Sequence, residues 1–466
     1  MNMKRSKLRT SLLMLAFAAS VVLTDVAAAS PAPASAAQPQ APVLPTGVQT
    51  GDAPATLTMG PSDKPPTTLE SELDKLVERA PKGEALYNPA YDKRFVIVND
   101  PKQYNEKTGE YLPASAIGYE ECEGQAGDNG WWFKDKFNMC STSVVAVRHM
   151  ELVNGVYVQI GTSYFDVTMI ATSTPATQDI EFGFRMRFKD LDGRSNEGLI
   201  SLNLGCNNAD PLRTSTCSAD SHTPAVGVGF TVQQWKTTYN GFPFGFTVRT
   251  STTAVPQDKY KAELRGYFAY GFVLTGASTG APPNSVTLKS TPLRCDSASY
   301  VYDVNGKCVF HAALSSLQMS ASHADMGESA SFIRDAQAGG PRIAPPGGKP
   351  VPGAYQGTPL TRLYKDYDDG KLIKASRRKI KRTCKEFFTS NYTKHPTNSN
   401  IKMECDEYPF ATTYQNSAAV KPDSIWGYAV RPVSREHNGA AGRYYGAWMS
   451  RDRILDGDPF YVIITP

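Results

Sequence analysis

The side chains with the clearest capacity for joint chemistry lie near the C-terminus of this 466-residue chain, in Glu404-Cys405-Asp406-Glu407-Tyr408-Pro409-Phe410. Three carboxylates surround one cysteine, and an aromatic-Pro-aromatic run follows. Such a cluster is costly beside apolar residues unless a metal ion, a basic partner or water neutralises it. Upstream, Lys371, Lys374, Arg377, Arg378, Lys379, Lys381, Arg382 and Lys385 put eight cations into fifteen positions. A solvated helix face is the ordinary reading of such a run. Beside an acidic cluster, it also suits a polyanion tracked by the cations, with a metal ion held at the acids. Phosphodiester cleavage needs such parts. A base activates water, a divalent cation neutralises charge, and Arg or Lys holds phosphate oxygens.

Few helix breakers interrupt the basic run, so it reads as a helix. The acidic stretch reads as a strand, in which Glu404 and Asp406 share a face and Glu407 points to the other. Asn416 to Asp423 is turn-like. Ile425 to Val433 reads as a second strand carrying Arg431. Ser434-Arg435-Glu436-His437-Asn438-Gly439 then opens a Gly/Ala-rich helix running to Met449. Strand, loop, strand, helix is the ββα-metal order of small nucleases. Charge concentrates here as well. Residues 357–466 hold 18 Lys and Arg against 12 Asp and Glu, a net +6, whereas the whole chain is +4.

Several separated motifs carry a resemblance. Cys405-Asp406-Glu407-Tyr408-Pro409-Phe410-Ala411-Thr412-Thr413, Val430-Arg431-Pro432-Val433, Asn438-Gly439-Ala440-Ala441-Gly442 and Leu455-Asp456-Gly457-Asp458-Pro459-Phe460-Tyr461-Val462 closely resemble the NucA/NucB-type secreted deoxyribonucleases. The likeness covers about Thr358 to Pro466. It implies a metal-dependent, non-specific endonuclease related to His-Me finger enzymes, using Mg²⁺ or Mn²⁺ on DNA. By position, it implies Asp406 as general base, Glu407 as a supporting or metal-site residue and Arg431 as a phosphate clamp. It places Asn438 on the metal side. His437 stands where relatives are commonly acidic. It would be a metal ligand, a phosphate donor or simply a polar residue at the helix start. Lys374, Arg377, Arg378, Lys379, Lys381, Arg382 and Arg443 are the candidate DNA contacts. Asp456 and Asp458 are either metal ligands or, more ordinarily, parts of a turn before the last strand.

The rest of the chain supports delivery rather than chemistry. Residues 1–29 read as a signal peptide: Lys4, Arg5, Lys7 and Arg9, then an apolar core from Ser11 to Leu23, then Ala27-Ala28-Ala29. That core is short of the roughly 20 residues of a membrane anchor. No later segment is long and apolar enough to span, so a secreted or periplasmic protein is expected. Residues 30–66 form a Pro/Ala-rich tether and 67–84 a short helix. Residues 85–325 read as an all-β accessory domain, a sandwich or jelly roll with Asn154-Gly155 and Asp192-Gly193 as hairpin turns. Residues 326–356 read as a linker, with a helical turn or two at Ser331 to Ala338 before its Pro/Gly-rich part, and 357–466 as the small α+β nuclease domain. The eight cysteines fall into local couples: Cys122–Cys140, Cys206–Cys217, Cys295–Cys308 and Cys384–Cys405. Disulfides fit an exported chain, and no C-x2-C couple argues for zinc. The last couple would pin the basic helix beside the acidic strand. The competing function is a secreted envelope- or glycan-binding protein whose C-terminal module is inactive or only binds DNA. Trp131-Trp132 could then stack on sugar, although a paired Trp is more often core. A secreted nuclease toxin would combine the two readings.

Overall fold

Runs of β-branched and aromatic residues give the first part of the fold its strands. The computed structural model describes residues 57–58, 95–98, 104–105, 110–111, 115–127, 130–193, 196–208, 215–221, 229–241, 243–252, 265–277, 284–288, 293–301, 306–340, 345, 348–365, 370–421 and 423–466. The expected signal peptide and 67–84 helix lie outside them, as does all of the 30–66 tether but 57–58.

The early elements are β1 (Leu57–Thr58), β2 (Phe95–Val98), β3 (Tyr104–Asn105), β4 (Glu110–Tyr111), α1 (Tyr119–Ala126), β5 (Trp131–Phe133), β6 (Asn138–Val153), β7 (Val156–Ser173), β8 (Asp179–Gly193), β9 (Leu199–Asn208) and β10 (Ser215–Ser221). There follow β11 (Phe230–Thr231), α2 (Val232–Thr237), β12 (Pro243–Thr252), β13 (Arg265–Ala277), β14 (Asn284–Leu288), β15 (Leu293–Asp296), β16 (Cys308–Phe310) and β17 (Leu314–Ser320). The C-terminal elements are α3 (Gly327–Gln337), β18 (Leu360–Thr361), α4 (Lys371–Phe388), β19 (Met403–Tyr408), β20 (Ala429–Ser434), α5 (Arg435–Arg451) and β21 (Pro459–Thr465).

Two antiparallel sheets make the β-rich region. One runs β10-β12-β8-β7-β6-β5, the other β11-β9-β13-β15-β16 with β14 on β13. They share one core, with Val145, Phe165, Phe182 and Phe184 from the first and Ile200, Leu202, Leu293 and Phe310 from the second. Each such side chain contributes about 1.5–3 kcal/mol when fully buried. β5 to β8 are consecutive neighbours, which is a meander rather than a jelly-roll order.

Asn154 and Gly155 both take positive φ, 52° and 79°, and turn β6 into β7 as their types predict. Asp192-Gly193 makes no such hairpin. It ends β8, and the next strand belongs to the other sheet. Trp132 is buried and Trp131 packs on the core with its ring stacked on Phe133, so the pair is not an exposed sugar platform. All four expected disulfides are present. Cys206–Cys217 ties β9 to β10, one strand from each sheet.

The stretch expected as a linker over 326–356 begins with more than the helical turn or two expected at Ser331 to Ala338. Residues 327–337 are helix α3, and its Ala330, Phe332, Ile333 and Ala336 are buried with Tyr445, Trp448 and Phe460. An apolar stripe at helical spacing explains its length and burial, which the neighbouring Pro and Gly obscured. β17 likewise pairs parallel with β21, giving the sheet order β1-β2-β17-β21-β18. A buried charge network reinforces the junction. Arg294 meets Asp458 at 2.5 Å, and Arg453 grips Asp296 at 2.6 Å. Asp458 also accepts the Leu455 N–H, and Asp456 accepts from the Tyr414 hydroxyl and the Tyr364 N–H. The Asp-Gly-Asp-Pro turn is therefore structural, its carboxylates committed to these partners.

Candidate active site

The hairpin β19–β20 sets Asp406 directly opposite Arg431, Glu404 opposite Val433 and Glu407 opposite Val430. Helix α5 begins at once after β20, with Ser434 as N-cap accepting the Glu436 N–H at 3.3 Å. The strand–loop–strand–helix order read from sequence is thus present. Alternation along β19 then divides the acids. On one face, Asn438 of α5 donates to Glu404 at 3.3 Å, and Ser329 of α3 lies beside Asp406. On the other, Glu407 accepts from Ser376 of α4 at 3.0 Å, and Ser376 in turn meets Ser417 at 2.8 Å. Glu407 and Asn438 therefore do not converge on a common ion. They leave opposite sides of the hairpin, because neighbouring strand residues must.

The two central acids hold their protons unusually well. Burial pushes Asp406 from 3.8 up to about 6, and nearby Glu404 adds to this. Ser329, the Glu407 N–H and Arg431 pull the other way. Burial likewise pushes Glu407 from 4.5 to about 7, with Asp406 contributing and Ser376 and Arg377 opposing. Two adjacent carboxylates with raised pKa values in one site suit proton-transfer chemistry, since such groups cluster at functional sites. Asp406, Glu404 and Asn438 offer hard oxygen donors on one face. An ion of the Mg²⁺ type needs only one or two protein oxygens besides water and phosphate, so this donor set fits one. Among the described residues no group of three or more His, Cys, Asp and Glu side chains could hold a metal ion by itself.

Residues 354–463 match the deoxyribonuclease NucA/NucB family. No curated protein matches the chain.

Within the matched stretch and its surroundings, the remaining expected site residues fall into place unevenly. Arg431 does not stand open as a phosphate clamp. It bonds Asp335 of α3 at 2.6 Å and the Glu328 carbonyl at 3.2 Å, with its guanidinium over the Phe332 ring. His437 accepts the Glu328 N–H on Nδ1 at 3.2 Å. It lines a cleft with Glu328, Asp335 and Arg431.

Helix α4 forms as the basic run implies, burying Ile373, Ser376, Ile380, Thr383 and Cys384 on one side. Lys374, Arg377, Arg378, Lys381 and Arg382 are exposed on it, as is Arg443 on α5. Lys379 is not with them. Its ammonium donates to the Ser417 and Val420 carbonyls at 2.8 and 3.0 Å, and burial lowers its pKa. Cys384–Cys405 pins α4 to β19, as expected. It does so on the Glu407 side, away from Asp406, because Cys405 and Glu407 share a face. Ser376, Ser329, Glu328 and Asp335 went unrecognised in the sequence. The helical turns expected at Ser331 to Ala338 pointed to part of α3, but nothing local announces that Asp335 meets Arg431.

Proposed function

We propose that this chain is an exported, divalent-metal-dependent endonuclease that hydrolyses DNA phosphodiester bonds. The observation that carries the reading is the shared face of Asp406, Arg431, Glu404 and Asn438 on a strand–loop–strand–helix unit inside the matched family stretch. Ionised Asp406 takes a proton from water as its oxygen attacks phosphorus, and the P–O bond to the leaving sugar oxygen breaks. A pKa of about 6 leaves the carboxylate mostly ionised at neutral pH yet still basic enough for this work. Glu404 and Asn438 would hold the cation, which when bound supplies charge neutralisation at the phosphate. Glu407, behind the hairpin, orders the strand through its bond from Ser376. The exposed cations of α4 supply a field for a polyanion. Four disulfides suit an oxidising compartment, and the apolar N-terminal stretch supplies the export signal. Among the described residues no helix is long and apolar enough to cross a membrane.

The test is plasmid degradation by the whole exported chain in EDTA and after restoring Mg²⁺ or Mn²⁺. Cleavage that appears only with the cation supports the reading. Cleavage that persists in EDTA removes the metal from it.

A further inference from the structure

We infer that Glu328 and Asp335 of α3 occupy the positions of nucleic-acid phosphates and thereby weaken the grip of the domain on DNA. This rests on the nuclease reading above. Helix α3 lies outside the matched stretch 354–463, yet its Ser329 lies beside Asp406 and its Asp335 meets Arg431 on the same face of the hairpin. Its inner side is anchored by Phe332, Ile333 and Ala336 in the core. Its polar edge does something else. The Asp335 carboxylate takes Arg431 Nη1 at 2.6 Å. The Glu328 carboxylate takes the Ser434 N–H at 2.7 Å, at the start of α5.

Both receptors are of the kind that holds phosphate. Arginine presents a planar fork matched to phosphate oxygens. A helix start presents unpaired N–H groups and the positive end of its dipole, which favour an anion. Here a carboxylate fills each one, from a single helix, seven residues apart. The cleft between α3, β20 and α5 is open to solvent and lined by Glu328, Asp335, Arg431 and His437. A DNA strand entering it meets two fixed negative charges before it meets Arg431. Binding therefore requires displacing Asp335 from Arg431, and the displaced pair opposes association.

The substitution Asp335→Asn keeps the shape of the side chain and removes its charge, and Glu328→Gln does the same at the helix start. Made in the whole exported chain with Mg²⁺ present, each is read by the affinity for a short DNA duplex across a salt series and by the cleavage rate. Asp335→Asn is expected to tighten DNA binding about tenfold, since a charge-assisted bond is freed for phosphate. It should also steepen the salt slope by about 0.9, the increment for one further neutralised phosphate. Both gains should vanish in Asp335→Asn/Arg431→Ala. Simple loosening of α3 would lower the melting temperature without steepening the slope. Unchanged affinity and slope, in variants that still cut DNA, would overturn the inference and leave the nuclease reading intact. Loss of cleavage from every protein, wild type included, would overturn the nuclease reading, while the affinity series still decides the role of Asp335.

Discussion

Replacing Asp406 by Asn should make the metal-free protein more stable at neutral pH while stopping its chemistry. The folded protein raises this carboxyl from 3.8 to about 6, chiefly by burial. A raised folded-state pKa means that the folded chain binds the proton more tightly than the unfolded one. The resulting stability is complete below about pH 4, falls as pH rises, and is gone once the folded carboxyl ionises above about 6. The two pKa values differ by about two pH units, and at about 1.36 kcal/mol each that is at most about 3 kcal/mol, less some allowance for solvent at this partly exposed group. Asn does not titrate, so Asp406→Asn lacks this loss. Guanidinium unfolding in EDTA at pH 4 and pH 7.5 measures the effect. The stability difference between variant and wild type should move by about 2–3 kcal/mol in favour of the variant between the two pH values. Glu407 titrates in both proteins, so most of its contribution cancels, except the part that Asp406 itself imposes. A difference that stays constant within about 0.5 kcal/mol would refute the burial account of Asp406, because a neutral substitution far from a strained charge does no more than this.

The pH–rate profile should follow the same group: kcat/KM is expected to fall about tenfold per pH unit below about 6, where Asp406 takes up its proton. A profile flat to pH 5 would remove Asp406 from the proton-transfer step. Cys405→Ser opens the loop of 21 residues closed by Cys384–Cys405, and should cost about 3 kcal/mol by denaturant titration. An unchanged midpoint would make that bridge incidental to the fold. Arg294→Ala leaves Asp458 buried without its cation and should cost about 3–5 kcal/mol, where a surface Arg would cost little. Loss of less than about 1 kcal/mol would mean that the network is replaceable by water.

Much of the site was legible because its signals are local. Alternation placed Glu404 with Asp406 and Glu407 opposite, the breaker-free basic run gave α4, and Ser434 to Gly439 marked the start of α5. The four disulfides followed from sequence-local cysteine couples. Long-range pairing was not legible. Leu314-Ser315-Ser316-Leu317 carries no clean alternation, because β17 is buried on both sides between β2 and β21. Helix α3 was legible only as a turn or two at Ser331 to Ala338, and its acids gain meaning only once Arg431 is brought to them from about a hundred residues away. Lys379 shows the same limit. Its charge matched its neighbours in the run, but its helical position turned it inward to two carbonyls. Asp192-Gly193 has good turn chemistry, yet the chain there changes sheets instead of reversing.

The most direct measurement is the initial rate of supercoiled-plasmid nicking at pH 8 in saturating Mg²⁺, for the wild-type chain and for Asp406→Asn. A general base contributes about 10²–10⁴-fold, so the variant should lose at least a hundredfold while remaining folded. A variant that nicks at the wild-type rate would contradict the assignment of Asp406 as the residue that activates water.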